Sequence, residues 1–320
     1  MTNGSPRPLY LDCDTGIDDS LALAYLLASP EIELVGVGTV SGNIDADRAA
    51  VNTLDLLALA GRPDVPVAVG AHDPQAGTYA GGVPHIHGHN GVGDVVLPRS
   101  GLMPVSETAA ELLVRLAHAH SGRLLVVAVG PLTNLAAALR LDPGIADLVE
   151  EVTLMGGAAL VPGNLSPVAE ANIWNDPEAA REVVEASWPI VLVPLDVTLE
   201  NTLEESDRQL LLASPHPFVR ALAEILDLYF EFYVALYGHR SCALHDPLAA
   251  ALAVGVICAT VAPAVGVVVD DSHGPGRGQT ICDLRGQRRG AVDQPGAHVR
   301  VVLATSAPLG PHLIERILSW

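Results

Sequence analysis

The 320-residue chain contains no lysine, so its 17 basic residues are all arginine. A Schiff-base lysine, covalently held pyridoxal phosphate and a Walker A phosphate loop are therefore excluded. Positive charge is scarce altogether. Against 37 acidic residues the net charge is −20, which opposes nucleic-acid phosphates and anionic membranes as partners. Cysteine is also sparse. Cys13, Cys242, Cys258 and Cys282 form no CxxC pair and read as reduced thiols of a cytoplasmic protein. Met1–Pro8 holds no apolar signal segment, in keeping with that compartment. One uncharged stretch, Pro247–Val269, is long enough to cross a bilayer, but Gly255 and Pro263 interrupt it. A helix to about Val254 and a strand at Ala264–Val269 fit better, and a soluble protein is expected.

What is present is a regular alternation. Strands are predicted at Pro8–Leu11, Ile32–Val40, Val65–Val69, Leu124–Val129, Val152–Met155 and Ile190–Val193, with helices between them. This pattern predicts an α/β fold: a single open domain, residues 1–320, with a mainly parallel central sheet flanked by helices. Residues 71–105 and Gly156–Asn175 lack a long apolar period and read as functional loops. Towards the C terminus, helices are predicted at Glu204–Ala213, Pro217–Tyr237 and Gly310–Leu318, and strands near Val265–Val269 and Val299–Leu303.

Chemistry is concentrated at Leu-Asp-Cys-Asp-Thr-Gly-Ile-Asp-Asp, residues 11–19. Asp12, Asp14, Asp18 and Asp19 follow the first strand and lead into a helix, the crevice where open α/β sheets bind ligands. Carboxylates this close raise one another's pKa unless a cation neutralises them. All-oxygen donors suit Ca²⁺ or Mg²⁺ better than zinc. The plainer alternative is that Asp18 and Asp19 only serve the helix N-terminus. Further polar clusters follow strands or open helices: Val40-Ser41-Gly42-Asn43; His85, His87 and His89; Asn164, Glu170 and Asn172; and His245-Asp246-Pro247. The histidines read equally as a zinc site or a solvated turn, the asparagines as turn residues, and Asp246 as an N-cap. Together the clusters suit a neutral polyhydroxylated ligand, whose vicinal hydroxyls match Asn and Glu side chains and a calcium ion.

The order DCDTGIDD, VSGN, HIHG, GPLTN, LMGG, GN-x₅-E-x-N, DPEAA and HDP resembles the nucleoside hydrolases of the inosine–uridine-preferring superfamily, from residue 9 to about 250. The resemblance implies a nucleoside hydrolase fold, homodimers or homotetramers, and calcium-dependent hydrolysis of ribonucleosides to ribose and free base. It implies that Asp14, Asp19, Asp246 and the Val129 carbonyl hold Ca²⁺, with Asp14 also taking a proton from the attacking water. Asp18, Asn43, Met155, Asn164, Glu170 and Asn172 would surround the ribose, and Asp12 would support the site from behind. His87, His245 and Tyr237 would lie near the base, with His245 protonating it as it leaves. Val129 stands where the family often has Thr, and Thr15 where Pro is common. A backbone carbonyl ligand tolerates the first change, and the second removes no ligand.

Two other readings remain at this level. Asp12-x-Asp14-Thr15 also resembles the nucleophile motif of haloacid-dehalogenase-type phosphatases, but those enzymes need a later Lys that this chain lacks. The other is a non-catalytic, calcium-dependent nucleoside- or ribose-binding protein on the same scaffold.

Overall fold

The computed structural model describes residues 5–290 and 292–320. Its organising strand is β1 (Arg7–Cys13), buried along its length after Arg7. Leu9, Leu11 and Cys13 pack into one hydrophobic cluster and Tyr10 into another, so β1 is covered on both faces. Such burial explains the unbroken apolar run Pro8–Leu11 within it. The next strands are β2 (Ile32–Thr39), β3 (Val67–Val69), β4 (Leu124–Ala128), β5 (Val149–Met155) and β6 (Ile190–Val193).

These strands form an eight-stranded sheet in the order Ala264–Val265, Val299–Val301, β6, β5, β4, β1, β2, β3. Every neighbouring pair is parallel except the first, which is antiparallel. The expected α/β domain with a mainly parallel sheet is thus what the chain forms. From β1 the sheet grows one way through β2 and β3, and the other way through β4, β5 and β6. The reversal between β1 and β4 opens a crevice at their carboxyl ends. Asp12 and Asp14 lie at the end of β1, and Val129 directly follows β4.

Helix α1 (Ile17–Leu27) and the helices Pro217–Tyr237, His245–Val254 and Leu309–Ile317 cover the face that carries Leu9 and Leu11. Helices Ala109–Ala119, Thr133–Leu141 and Pro177–Glu185 cover the other, around Trp188. The strand expected across Val265–Val269 is broken at Gly266. Ala264–Val265 stays in the main sheet, whereas Val267–Val269 pairs antiparallel with Thr280–Cys282, a strand that the sequence pattern did not reveal. The long loops hold short helical turns at Pro84–His87 and Ala171–Asn175. Among the described residues no helix is long and apolar enough to cross a membrane.

Close approach behind the crevice explains one glycine. Gly38 of β2 pairs in register with Asp12. A Cβ there would collide with the Tyr10 hydroxyl and sit 2.7 Å from Asp12 Oδ2 and 2.8 Å from Ala109 Cβ. The Tyr10 hydroxyl meanwhile donates to Asp12 Oδ2 at 2.8 Å. Gly38→Ala should therefore destabilise the fold by about 1–3 kcal/mol through overpacking. Urea unfolding is the measurement, and an unchanged midpoint would show that the Tyr10–Asp12 pair yields freely.

Candidate active site

The turn from β1 into α1 is built by carboxylates acting on backbone amides. Asp19 accepts from the Gly16 N–H through Oδ2 (2.8 Å) and from the Asp14 N–H through Oδ1 (3.1 Å), closing the helix start. Gly16 has no room for a side chain, because the His87 ring and the Asn43 amide press against it. Asn43 donates its backbone N–H to Asp14 Oδ2 (2.6 Å) and its side-chain amide to Asp19 Oδ2 (3.1 Å). The Val40–Asn43 segment is thereby locked to the aspartates.

Asp18, Asp19 and Asp246 each bring one oxygen within 4.8 Å of the others, and all three are buried. Asp14, expected among the metal ligands, is outside this group of three and lies beside Asp19. Three oxygens, Asp14 Oδ1, Asp18 Oδ1 and Asp246 Oδ2, are buried with no hydrogen-bond partner. A buried carboxylate oxygen left unpaired is strongly unfavourable unless a cation or donor faces it. Burial pushes the Asp14 and Asp246 carboxyls well up, and neighbouring aspartates push further. Asp18 rises to about 7 by burial and then by Asp19. This donor set, hard and anionic, fits a divalent cation.

Asp12 lies behind the cluster with no exposed surface. Burial lifts its carboxyl to about 7, against the pull of hydrogen bonds from Tyr10 and Asn134. Asn134 donates to both Asp12 oxygens at 3.2 and 3.1 Å and to Thr39 O at 2.9 Å. Asp12 in turn accepts the Val129 N–H on its backbone carbonyl at 2.8 Å, which fixes the residue after β4.

On the other flank, Asn172 donates to Val129 O (2.8 Å) and to Met155 O (3.2 Å), tying the ends of β4 and β5 together. Glu170 caps the Ala171–Asn175 turn and accepts from the N–H groups of Gly157, Asn172 and Ile173 at 2.9–3.2 Å. Asn164 is exposed, and its Oδ1 accepts from Ala171 N–H at 3.0 Å, a turn-forming bond. It is less enclosed than Glu170 or Asn172.

Two buried histidines complete the crevice. His87 Nδ1 accepts the Ile17 N–H at 3.0 Å, so the neutral ring carries its proton on Nε2. Burial drives its pKa down to about 3, helped by His245 and His85. His245 is lowered to about 4 by burial alone. Both of its nitrogens are engaged: Nδ1 with Thr198 Oγ1 at 2.7 Å and Nε2 with Tyr233 Oη at 2.6 Å. Tyr229 donates to Asp18 Oδ2 at 3.0 Å. Tyr237, expected near the base, donates its hydroxyl to Leu199 O at 2.8 Å and stacks on Tyr233. The residues missed by the sequence reading are thus Tyr229, Thr198 and Asn134. The four-residue spacing Tyr229, Tyr233, Tyr237 along one helix face was the available signal.

With this geometry in view, the chain matches the family described as inosine-uridine preferring nucleoside hydrolase over residues 9–308. It belongs to that family. The probable uridine nucleosidase 2 of Arabidopsis thaliana is 38% identical over 248 residues, covering 77% of each chain. A plant nucleoside hydrolase structure superposes with a TM-score of 0.91 at 30% identity, over 98% of this chain and 100% of that one. A purine-preferring ribonucleoside hydrolase from Gardnerella vaginalis gives 0.89 at 33% identity, over 98% of both. Membership makes the chain a hydrolase of N-glycosyl bonds in ribonucleosides, and the Asp cluster is one that can hold this family's metal. The phosphatase motif at Asp12–Thr15 falls inside the nucleoside hydrolase match.

The unpaired oxygens generate a stability test. In metal-stripped nucleoside hydrolase, Asp246→Asn should unfold at or above the wild-type temperature, because it removes a like charge from the cluster. A divalent cation at 100 times its Kd should add about 2.7 kcal/mol to the wild type and far less to the variant. Equal stabilisation of both proteins in thermal melts would place the cation elsewhere.

Proposed function

We propose that this nucleoside hydrolase is calcium-dependent and accepts both pyrimidine and purine ribonucleosides, in nucleoside salvage or catabolism. The observation that carries the reading is the cluster of buried carboxylates with three unpartnered oxygens. Asp14, Asp18, Asp19, Asp246 and the Val129 carbonyl would hold Ca²⁺. Bound there, the ion would offset half of the carboxylate charge and acidify a water molecule.

This chain's residues do the rest. Asp14 Oδ1 takes a proton from water as the water oxygen bonds to the ribose C1′. The C1′–N bond breaks, its electron pair leaves with the base, and the base gains a proton. Positive charge developing on the sugar, as in O-glycoside hydrolysis, is favoured by the surrounding carboxylates. Asp18, Asn43 and Asn172 grip the 2′- and 3′-hydroxyls, and Glu170 and Asn164 the 5′-hydroxyl, beside Met155. His87 presents Nε2–H to the base. Because both nitrogens of His245 are held, Tyr233 is the group of that pair free to meet the base.

Support for dual base specificity is that relatives divide between the two classes: one is named a uridine nucleosidase, another purine-preferring. A proton donor beside the base serves either class. A cytoplasmic homodimer or homotetramer of residues 1–320 is part of the same reading.

Steady-state kinetics test it. Uridine and inosine should both be turned over, and chelation should abolish activity that Ca²⁺ then restores. Removing the 2′-hydroxyl leaves buried polar groups unpaired, at about 1–3 kcal/mol, or about 10- to 100-fold in kcat/KM. UMP should fail because its phosphate meets Glu170. Comparable efficiency on uridine, 2′-deoxyuridine and UMP, or full activity after chelation, would defeat the assignment.

A further inference from the structure

Thr198 is fully buried at the end of the helical turn Leu195–Thr198, which follows β6 across Pro194. Its hydroxyl lies 2.7 Å from His245 Nδ1 and has no other hydrogen-bond partner among the described residues. Either ring nitrogen or hydroxyl donates in that contact. Were Nδ1–H the donor, the Thr198 hydroxyl hydrogen would be buried without an acceptor, at about 1–3 kcal/mol. With the hydroxyl donating, both groups are satisfied. The proton of the neutral imidazole then sits on Nε2.

That choice fixes the next bond. Nε2–H donates to Tyr233 Oη at 2.6 Å, and the Tyr233 hydroxyl hydrogen must point away from His245. In the opposite tautomer the same hydrogen would be spent on Nε2. Tyr233 is buried against Tyr229, whose own hydroxyl is committed to Asp18 in the carboxylate crevice.

We propose that Thr198 is a positioning residue for leaving-group protonation. By donating to His245 Nδ1 it holds the imidazole as the Nε2–H tautomer and turns the Tyr233 hydroxyl hydrogen towards the departing base. The inference rests on the reading of Tyr233 as the group that meets the base. In the step, the C1′–N electron pair moves onto the base, which takes the Tyr233 proton. The Nε2–H of His245 stabilises the phenolate and remains in place, so the imidazole is neutral throughout. The proton that Asp14 removed from water returns to Tyr233 through solvent as products leave. Imidazole tautomer control of this kind is worth much in other hydrolases, where the wrong tautomer costs about 10⁴ in rate.

The experiment compares natural nucleosides with p-nitrophenyl riboside, whose leaving group departs as a stable anion without a proton. Thr198→Val should lower kcat on uridine and inosine by about 10- to 100-fold, part of what general-acid help supplies. KM on those substrates and the rate on p-nitrophenyl riboside should change little. Thr198→Ser, which keeps the hydroxyl, should restore the nucleoside rate. Thr198→Ala gives the same test where Val packs badly, and thermal melts establish that each variant is folded. Equal losses on both substrate types, or no loss on nucleosides, overturn the role of Thr198. Tyr233→Phe separates the two levels. If it shows the selective loss while folded Thr198→Val does not, only this inference fails. If Tyr233→Phe is itself unselective, the underlying reading of Tyr233 fails.

Discussion

Repulsion among buried carboxylates is the constraint around which this nucleoside hydrolase is arranged. Asp14, Asp18, Asp19 and Asp246 are all nearly inaccessible to water. For each of them burial is the largest cause of a raised pKa, and for Asp14, Asp18 and Asp246 the other aspartates add to it. Such a cluster persists only because its geometry is imposed from outside. Gly16 and Asp14 amides hold Asp19, the Asn43 amide holds Asp14, and Tyr229 holds Asp18. At Asp14 and Asp18 these donors take Oδ2 and leave Oδ1 unpaired, whereas both oxygens of Asp19 are taken. The sheet supplies the location, since β1 and β4 part at their carboxyl ends and the following helices turn away on opposite faces.

The histidines obey the same logic with opposite sign. A charged imidazole beside four carboxylates would neutralise part of the cluster, yet burial holds both His87 and His245 neutral. A neutral ring has one donor and one acceptor, so its neighbours decide which way it faces. At His87 the decision is made by a backbone amide, Ile17 N–H, at the start of α1. At His245 it is made by a side-chain hydroxyl, Thr198. Both rings then carry their proton on Nε2. The carboxylate cluster is left to a cation, and the histidines act as oriented dipoles.

Legibility in the sequence follows how local each signal is. The run Leu11–Asp19 announces strand end, turn and helix start within nine residues, and the structure keeps that order, with the strand running on to Cys13 and the helix beginning already at Ile17. Glu170 and Asn172 were also legible, because both lie on one short turn whose cap is formed locally. Asn164 reads the same way but spends its carbonyl on that turn. Tyr233 was harder to choose than Tyr237, since both lie on the helix that ends at Tyr237. Their roles separate only where Leu199 and His245 approach from elsewhere in the chain. Thr198 lies 47 residues from His245 and carries no motif. Val267–Val269 was legible as strand, but its separate pairing was not, because its partner, Thr280–Cys282, is only three residues long.

The irregular segment 71–105 shows what holds a site together where apolar packing cannot. It contains one helical turn, Pro84–His87, yet it must deliver His87 to the mouth of α1. Buried polar side chains from the scaffold seize its backbone at intervals. Asn134 Oδ1 takes the Ala71 N–H, Asp176 takes Gln75 N–H, Asn52 donates to Asn90 O, and Asp55 takes Ser100 N–H. Two of these clamps also reach catalytic ground. Asn134 bonds Asp12, and Asn52 bonds Thr15 O in the aspartate turn. A side chain that must satisfy two backbones at once has little freedom to shift one without the other. The loop and the carboxylate cluster are therefore positioned by the same few amides, and a displacement of His87 is transmitted to the turn between Asp14 and Asp19.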